Sequence, residues 1–306
     1  MNLPRNQSGV ALITAILIVA LATIWVSSIV WLDHLQQRRV ASLVLHDQAT
    51  LYALGAESWA HDILQLDLEN GPTDHLSEEW AIPLPPLPVD GGQIQGSLED
   101  MQGRFNVNNL VTANGTPDEI ALDIFRRLLE SLQIDPAIAM YVLDWVDPDV
   151  DTSFPDGAED DVYTSMIPPY RTGNGPMTSI TELRAIKGIA PEIYAALAPH
   201  VAALPIGTTI NINTATAEVL AALSDRISLF DAQSMADGRI DAPFDSLEEI
   251  RDDVSPQVLQ QLSVASNFFR ASVLVSLGTM RLSMYSLLER DEAGMVGTRL
   301  RSYGAD

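Results

Sequence analysis

The sequence predicts an α+β fold in which a long amino-terminal helix packs on an antiparallel sheet, with a large all-helical domain inserted between strands. Three observations carry that expectation. An uncharged run, residues 10–32, leads into a stretch of helical rhythm that reaches Leu66. Polar and apolar residues alternate over 93–108 and again after residue 267. Between them, residues 111–266 read as helical and interrupt the strands.

Taken in order, the run from Val10 to Leu32 makes a helix of roughly 35 Å at 1.5 Å per residue, enough to cross a bilayer. Ala20-Leu21-Ala22 resembles a signal-cleavage site, but Ile24, Trp25 and Val26 continue the apolar run and favour a span. Arg5 before the span and Asp33 after it orient the amino terminus to the cytoplasm, while Arg38 and Arg39 count against that orientation. Beyond the span, Leu35, Val40, Val44, Leu51, Leu54, Trp59, Ile63 and Leu66 recur at helical spacing. Gly71-Pro72 and the proline-rich stretch 82–88 end that helix. Strands are expected at 93–100 and 104–108, then at 268–276, 280–289 and 298–303, joined in one antiparallel sheet by turns at 277–278 and 291–294.

The helical middle contains an echo. Ser179-x-x-Glu182 and Ser246-x-x-Glu249 both read as capping boxes, and Phe105-Asn-Val-Asn108 is answered by Ile210-Asn-Ile-Asn213. The turn Ile186-Lys-Gly-Ile-Ala190 resembles a helix-hairpin-helix turn and is read as structural, because few basic residues surround it.

A formal net charge of −24 excludes a nucleic-acid partner and favours metal cations or basic protein surfaces. Cysteine is absent, so there is no disulfide and no thiol nucleophile. The five histidines, His34, His46, His61, His75 and His200, show no metal-ligand spacing, and the chain is read as a non-enzyme. Charge concentrates in 144–163, which holds Asp144, Asp147, Asp149, Asp151, Asp156, Glu159, Asp160 and Asp161. No lysine or arginine falls between Arg127 and Arg171. Two readings stand side by side: a solvated acidic loop, or oxygen ligands gathered on calcium. The loop is no EF-hand, since the sixth and twelfth positions counted from Asp147 are Thr152 and Ala158.

A leader ending at Gly9, followed by an apolar helix beginning at Val10, resembles the processing signal of type IV pilins and type II secretion pseudopilins. The fifth position after the cleavage point is Thr14, where most of that family has glutamate, a departure typical of the K-type minor subunit. Asp144-Trp-Val-Asp-Pro-Asp149, Gly157-Ala-Glu-Asp-Asp-Val-Tyr163, Pro168-Pro-Tyr-Arg-Thr-Gly-Asn174 and Glu182-Leu-Arg184 resemble motifs of the general secretion pathway protein K family.

That resemblance implies a pilin-like α+β head and a definite division of the chain. Residues 1–9 are a cleaved prepilin leader, 10–32 the transmembrane half of the helix and 33–66 its periplasmic half. The pilin-like core occupies 67–110 and 267–306, and the helical insert with its calcium loop occupies 111–266. It implies calcium on Asp147, Asp149, Glu159 and Asp160, with Asp151 and Asp161 as weaker ligands. It implies cleavage by the prepilin peptidase between Gly9 and Val10, with methylation of the new terminus. Its implied partners are minor pseudopilins of the I, J and H types and the inner-membrane secretion assembly. The implied place is the inner membrane, single-pass, with the carboxyl-terminal domain in the periplasm, at the tip of the pseudopilus. Leu35, Val44 and Leu51 are candidate contacts with partner helices. The alternative is a membrane-tethered, calcium-dependent adhesion or substrate-recruiting module.

Overall fold

The structure is a computed structural model that describes residues 8–291 and 293–304. Helix α1 (Ser8–Asn70) runs unbroken for 63 residues, about 95 Å. In its apolar half the hydroxyls of Thr14, Thr23 and Ser28 donate to backbone carbonyls three or four residues earlier. The residues of α1 that become buried are Ala49, Ala53, Glu57, Ala60, Leu64 and Asp67, three or four apart and therefore on one face. Val40, Val44, Leu51, Trp59 and Leu66 stay exposed, with Val44 at 58% and Leu51 at 69%, so neither packs on the protein's own sheet. Leu35 is half-buried. The leader residues 1–7 lie outside the described residues.

The proline-rich stretch does more than end the helix. It forms β1 (Leu84–Val89), antiparallel to β2 (Gly92–Asp100), with an irregular register between Leu84 and Leu87. Proline cannot donate to a ladder, so Pro85, Pro86 and Pro88 are tolerated because β1 is an edge strand.

The insert then begins earlier than the strand pattern implies. Its first half contains β3 (Phe105–Asn106), α2 (Glu119–Ser131), α3 (Ile138–Val146), α4 (Asp160–Tyr163), α5 (Pro191–Leu197) and β4 (Val201–Ala202). Its second half contains β5 (Ile210–Asn211), α6 (Ala217–Ala222), α7 (Leu229–Gly238), α8 (Pro256–Leu259) and β6 (Leu262–Ser263). The strand expected at 104–108 does not join the main sheet: β3 pairs in parallel with β4, as β5 does with β6. Alternation over four residues specifies extended backbone but not a partner, which is why the sequence placed this strand in the wrong sheet.

The echo is a repeat of structure. Asn106 Oδ1 accepts from Asn108 N (3.2 Å), and Asn211 Oδ1 accepts from Asn213 N (2.9 Å). The Asn108 amide then accepts from the N–H of Met177 and donates to its carbonyl, as the Asn213 amide does with Phe244. Met177 and Phe244 each precede the serine of the repeated capping motif by two residues. The first capping box is formed by Ser179 and Glu182. The second is not: Ser246 makes no cap bond, and Glu249 Oε1 accepts from Asp245 N (3.0 Å) instead. In the hairpin-like turn the amides of Lys187, Ile189 and Ala190 are taken by Tyr163, Ile186 and Gly188, consistent with a structural role.

The chain returns to the sheet as β7 (Phe268–Leu277), β8 (Met280–Arg290) and β9 (Val296–Tyr303). Strand order is β1-β2-β7-β8-β9, antiparallel throughout, and Asp100 sits opposite Phe269 in the register of β2 and β7. The buried alternate residues of β7 and β8 meet α1 in two clusters, around Ala49, Ala53, Val275 and Leu282, and around Ala60, Leu64, Phe269 and Leu288. The insert has its own larger core.

Buried polar groups tie these parts together. Arg290, at the end of β8, donates to the Leu64 and Ser266 carbonyls and to the carboxylates of Asp67 and Asp74. It thereby joins the end of α1, the connector after it and the last residues of the insert. Asp100 accepts from Gln102 N, Ser266, Thr214 and Asn211; burial nevertheless pushes its carboxyl up to about 6. For Glu57 burial acts upward, but the bonds from Arg301, Ser286 and Thr298 prevail and hold it below the usual range.

Candidate cation site and family assignment

The acidic loop hangs from the carboxyl end of α3. Asp144 and Asp147 sit there against the negative end of the helix dipole, in a last turn without a basic residue. Asp144 is fully buried and organises the loop, accepting from Ser153 N (3.2 Å) and Ala158 N (2.7 Å). This close return requires Gly157, because a Cβ there would lie 2.2 Å from Asp144 Oδ2. Beneath the loop, Trp145, Tyr163 and Tyr170 form an aromatic floor with ring centroids 5.4 to 6.5 Å apart.

The candidate ligands divide into two groups. Asp147 and Glu159 are buried, at 3% and 2% exposure. Asp147 Oδ1, Glu159 Oε1 and Asn174 Oδ1 are buried oxygens without a hydrogen-bond donor. Burial, then the Asp149, Asp144 and Glu159 carboxylates, push Asp147 up to about 7, and burial raises Glu159 as well. Asp149 is exposed and joins the group through its backbone carbonyl, which accepts from Asn174 Nδ2 (2.8 Å). Asp160 is half-buried and engaged by Thr172 N and Oγ1 (both 3.1 Å) and by Arg171 (3.7 Å). Asp151 and Asp161 are exposed. Asp147 thus feels Asp149, Asp144 and Glu159 electrostatically, and Asn174 bonds the neighbouring Asp149 carbonyl, but among the described residues no three of the loop's carboxylates bring their oxygens within 4.8 Å of one another. The geometry leaves Asp151 and Asp161 in water.

Buried acceptors without donors cost free energy unless something positive meets them. A hard cation with oxygen ligands and tolerant geometry matches this donor set. Among the described residues the one acidic group whose ligand oxygens lie within 4.8 Å of one another is elsewhere, at Asp67, Asp74 and Glu78, and Arg290 already bonds two of its members. At the other end of the chain, Gly9 and Val10 lie within α1, and a Cβ on Gly9 would meet nothing within 4 Å.

Comparison with known proteins places the chain. Two family models, both described as type II secretion system (T2SS), protein K, match residues 103–206 and 210–278. The boundary between them coincides with the boundary between the two halves of the insert. The type II secretion system protein K of Pseudomonas aeruginosa is 35% identical over 98% of this chain and 94% of its own length. Its counterpart in Klebsiella pneumoniae is 32% identical over 98% of this chain and 97% of its own length. A chain from the crystal structure of the GspK-GspI-GspJ complex of enterotoxigenic Escherichia coli superposes with a TM-score of 0.78 at 28% identity, covering 88% of this chain and 100% of that one. These relatives are structural components of a secretion system, and on identity and coverage together the chain belongs to the type II secretion system protein K family of minor pseudopilins.

Proposed function

We propose that this minor pseudopilin initiates or caps the pseudopilus from its tip and so supports export of folded proteins across the outer membrane. The observation that carries the reading is Thr14. A subunit added beneath an existing one would use a carboxylate at this position to meet the terminal amine above it, offsetting the cost of a charge in hydrocarbon. Thr14 has no such charge to offset, and its hydroxyl is satisfied inside its own helix by the carbonyls of Val10 (3.1 Å) and Ala11 (3.0 Å). A first subunit has nothing above it to meet. The insert supports the same reading, because a body that large at the end of the sheet obstructs stacking of a further subunit above.

Partners of the I, J and H types meet α1 along its outward stripe, Val44, Leu51, Trp59 and Leu66, which is exposed and opposite the face buried on the sheet. A related K protein is found in complex with I and J subunits, which supports this assignment. In sheared pseudopili, labelled protein is expected at one end only. Labelling spaced along the shaft refutes the tip.

The prepilin peptidase cleaves after Gly9 on the cytoplasmic face, leaving Val10 as a methylated terminus and the rest of the chain beyond the span in the periplasm. Mass spectrometry of protein from membranes is expected to show a chain starting at Val10. An intact Met1 or a start after Ala22 refutes it. The acidic loop holds calcium through Asp147 and Glu159, with Asp149 and Asn174 completing the oxygen set and Asp160 at its margin. The three donorless buried oxygens support that assignment.

A further inference from the structure

Between residues 6 and 103 the sequence has two basic residues, Arg38 and Arg39, against eleven carboxylates from Asp47 to Asp100. They are adjacent, and α1 continues through them without a break. Six and seven residues beyond Leu32, the last residue of the uncharged run, they stand roughly 10 Å past its end. That distance puts their backbone a few ångströms outside a headgroup layer about 5–7 Å deep, within reach of the long arginine stem. Both are exposed, and among the described residues neither guanidinium has a hydrogen bond or an ion pair. The nearby carboxylate, Asp33, is engaged by Gln37 (2.8 Å).

Their azimuth is informative. Arg38 lies eleven residues, about three turns, before Ala49, so the pair points along the side of α1 that higher up carries the sheet. The first residue of α1 fully buried against that sheet is Ala49, about 15 Å above Arg39. The guanidinium groups therefore face the gap beneath the head, bounded on the other side by the membrane surface. The β7–β8 hairpin end, which packs near Ala49 and Ala53 through Leu277 and Leu282, brings the exposed Arg281 to the same end of the head.

We propose that Arg38 and Arg39 form a lipid-phosphate clamp, binding the headgroups of anionic phospholipids and fixing the depth of α1 in the bilayer. Positive charge on this flank works against the orientation that Arg5 favours, so the pair does not serve to set topology. The guanidinium fork suits phosphate oxygens, and its long stem lets the group reach back to the membrane surface. Lipid fits better than a protein carboxylate because position relative to the span, fixed by helix rise, is the same in every copy whether or not a partner is present. The proposal rests on the reading that 10–32 spans the bilayer, and on neither the cleavage nor the tip position.

The test is native mass spectrometry of the full chain in detergent, titrated separately with phosphatidylglycerol and phosphatidylcholine. Attraction to an anionic lipid is worth roughly fivefold per arginine, so the double variant Arg38→Gln with Arg39→Gln is expected to bind phosphatidylglycerol roughly 25-fold more weakly. Its affinity for phosphatidylcholine should be unchanged, and Arg38→Lys with Arg39→Lys should keep most of the preference. Millimolar inorganic phosphate should leave the lipid adduct in place; displacement by phosphate alone overturns the lipid as occupant. An unaltered phosphatidylglycerol preference in the double glutamine variant overturns the clamp and leaves the pair to the carboxylates of a neighbouring subunit. A wild-type chain that retains neither lipid overturns the clamp, whereas release of the chain from membranes by alkaline carbonate without detergent overturns the span on which it rests.

Discussion

Replacing Arg290 with methionine is expected to destabilise the protein by about 3–5 kcal/mol, the cost of removing one partner from a buried charged group. The side chain is 3% exposed and serves two carboxylates and two carbonyls, so the variant removes the cation from Asp67 and Asp74, leaving Asp74 only the bond from Ser266 N (2.7 Å), and takes a donor from the Leu64 and Ser266 carbonyls. In thermal unfolding of the full chain in detergent this corresponds to a fall of roughly 10 °C. The sign of its pH dependence follows from Asp67, which burial and then the Glu78 carboxylate already raise to about 7. A raised carboxyl holds a proton in the folded state that the unfolded chain has released. Its contribution to stability is therefore lost as pH climbs from about 4 through about 7. Without the guanidinium that loss deepens, so the penalty should be larger near pH 8 than near pH 5. A loss below about 1 kcal/mol, or one independent of pH, would show that the junction is held by packing instead.

Calcium removal should act on a different part of the molecule. At a free concentration one hundred times its Kd, a ligand that binds only the folded state contributes about 2.7 kcal/mol. Chelation is thus expected to lower the melting temperature by roughly 5–10 °C and to open the segment 144–174 to protease. The double variant Asp147→Asn with Glu159→Gln removes two buried charges while keeping their shape. It should abolish the calcium response without melting below the chelated wild type, because the same change relieves the repulsion around Asp147. A wild-type melting curve indifferent to chelator would return the segment to a solvated acidic loop.

The elements legible in the sequence are those whose pattern is local and long. The helix of α1 and the alternation of β7, β8 and β9 each repeat over eight or more residues, and each appears where the pattern puts it. Strand β1 was hidden because proline argues against a strand everywhere except at an edge, and edge status is a property of the assembled sheet. The second capping box did not form although its residues match the first: Glu182 accepts from both Thr178 N and Ser179 N, whereas Glu249 reaches only Asp245 N and the Ser246 hydroxyl caps nothing. In the acidic loop, residue type marked the segment but did not rank its carboxylates. Asp144 and Asn174 matter because a glycine lets the chain return over one and a left-handed backbone at φ 43° turns the other. Arg290 could not be read at all, since its partners lie 24 to 226 residues away.

The placement of the insert between β2 and β7 also governs how the chain reaches this structure. Asp100 and Phe269 are neighbours across a ladder, and Met101 N donates to the Phe268 carbonyl (2.9 Å), so the whole insert occupies what would otherwise be a hairpin turn. Closing so long a connection as a flexible loop carries an entropic cost that grows with the logarithm of its length, and non-local strand pairing of this kind is slow. A folded insert removes that search. Its first and last residues are held side by side by Gln102, which accepts from Asn267 N (2.6 Å) while its own backbone oxygen accepts from Asn211 N (2.9 Å). Once the insert has folded, the central ladder of the sheet can zip from a pre-formed end, and β2 and β7 meet without that search.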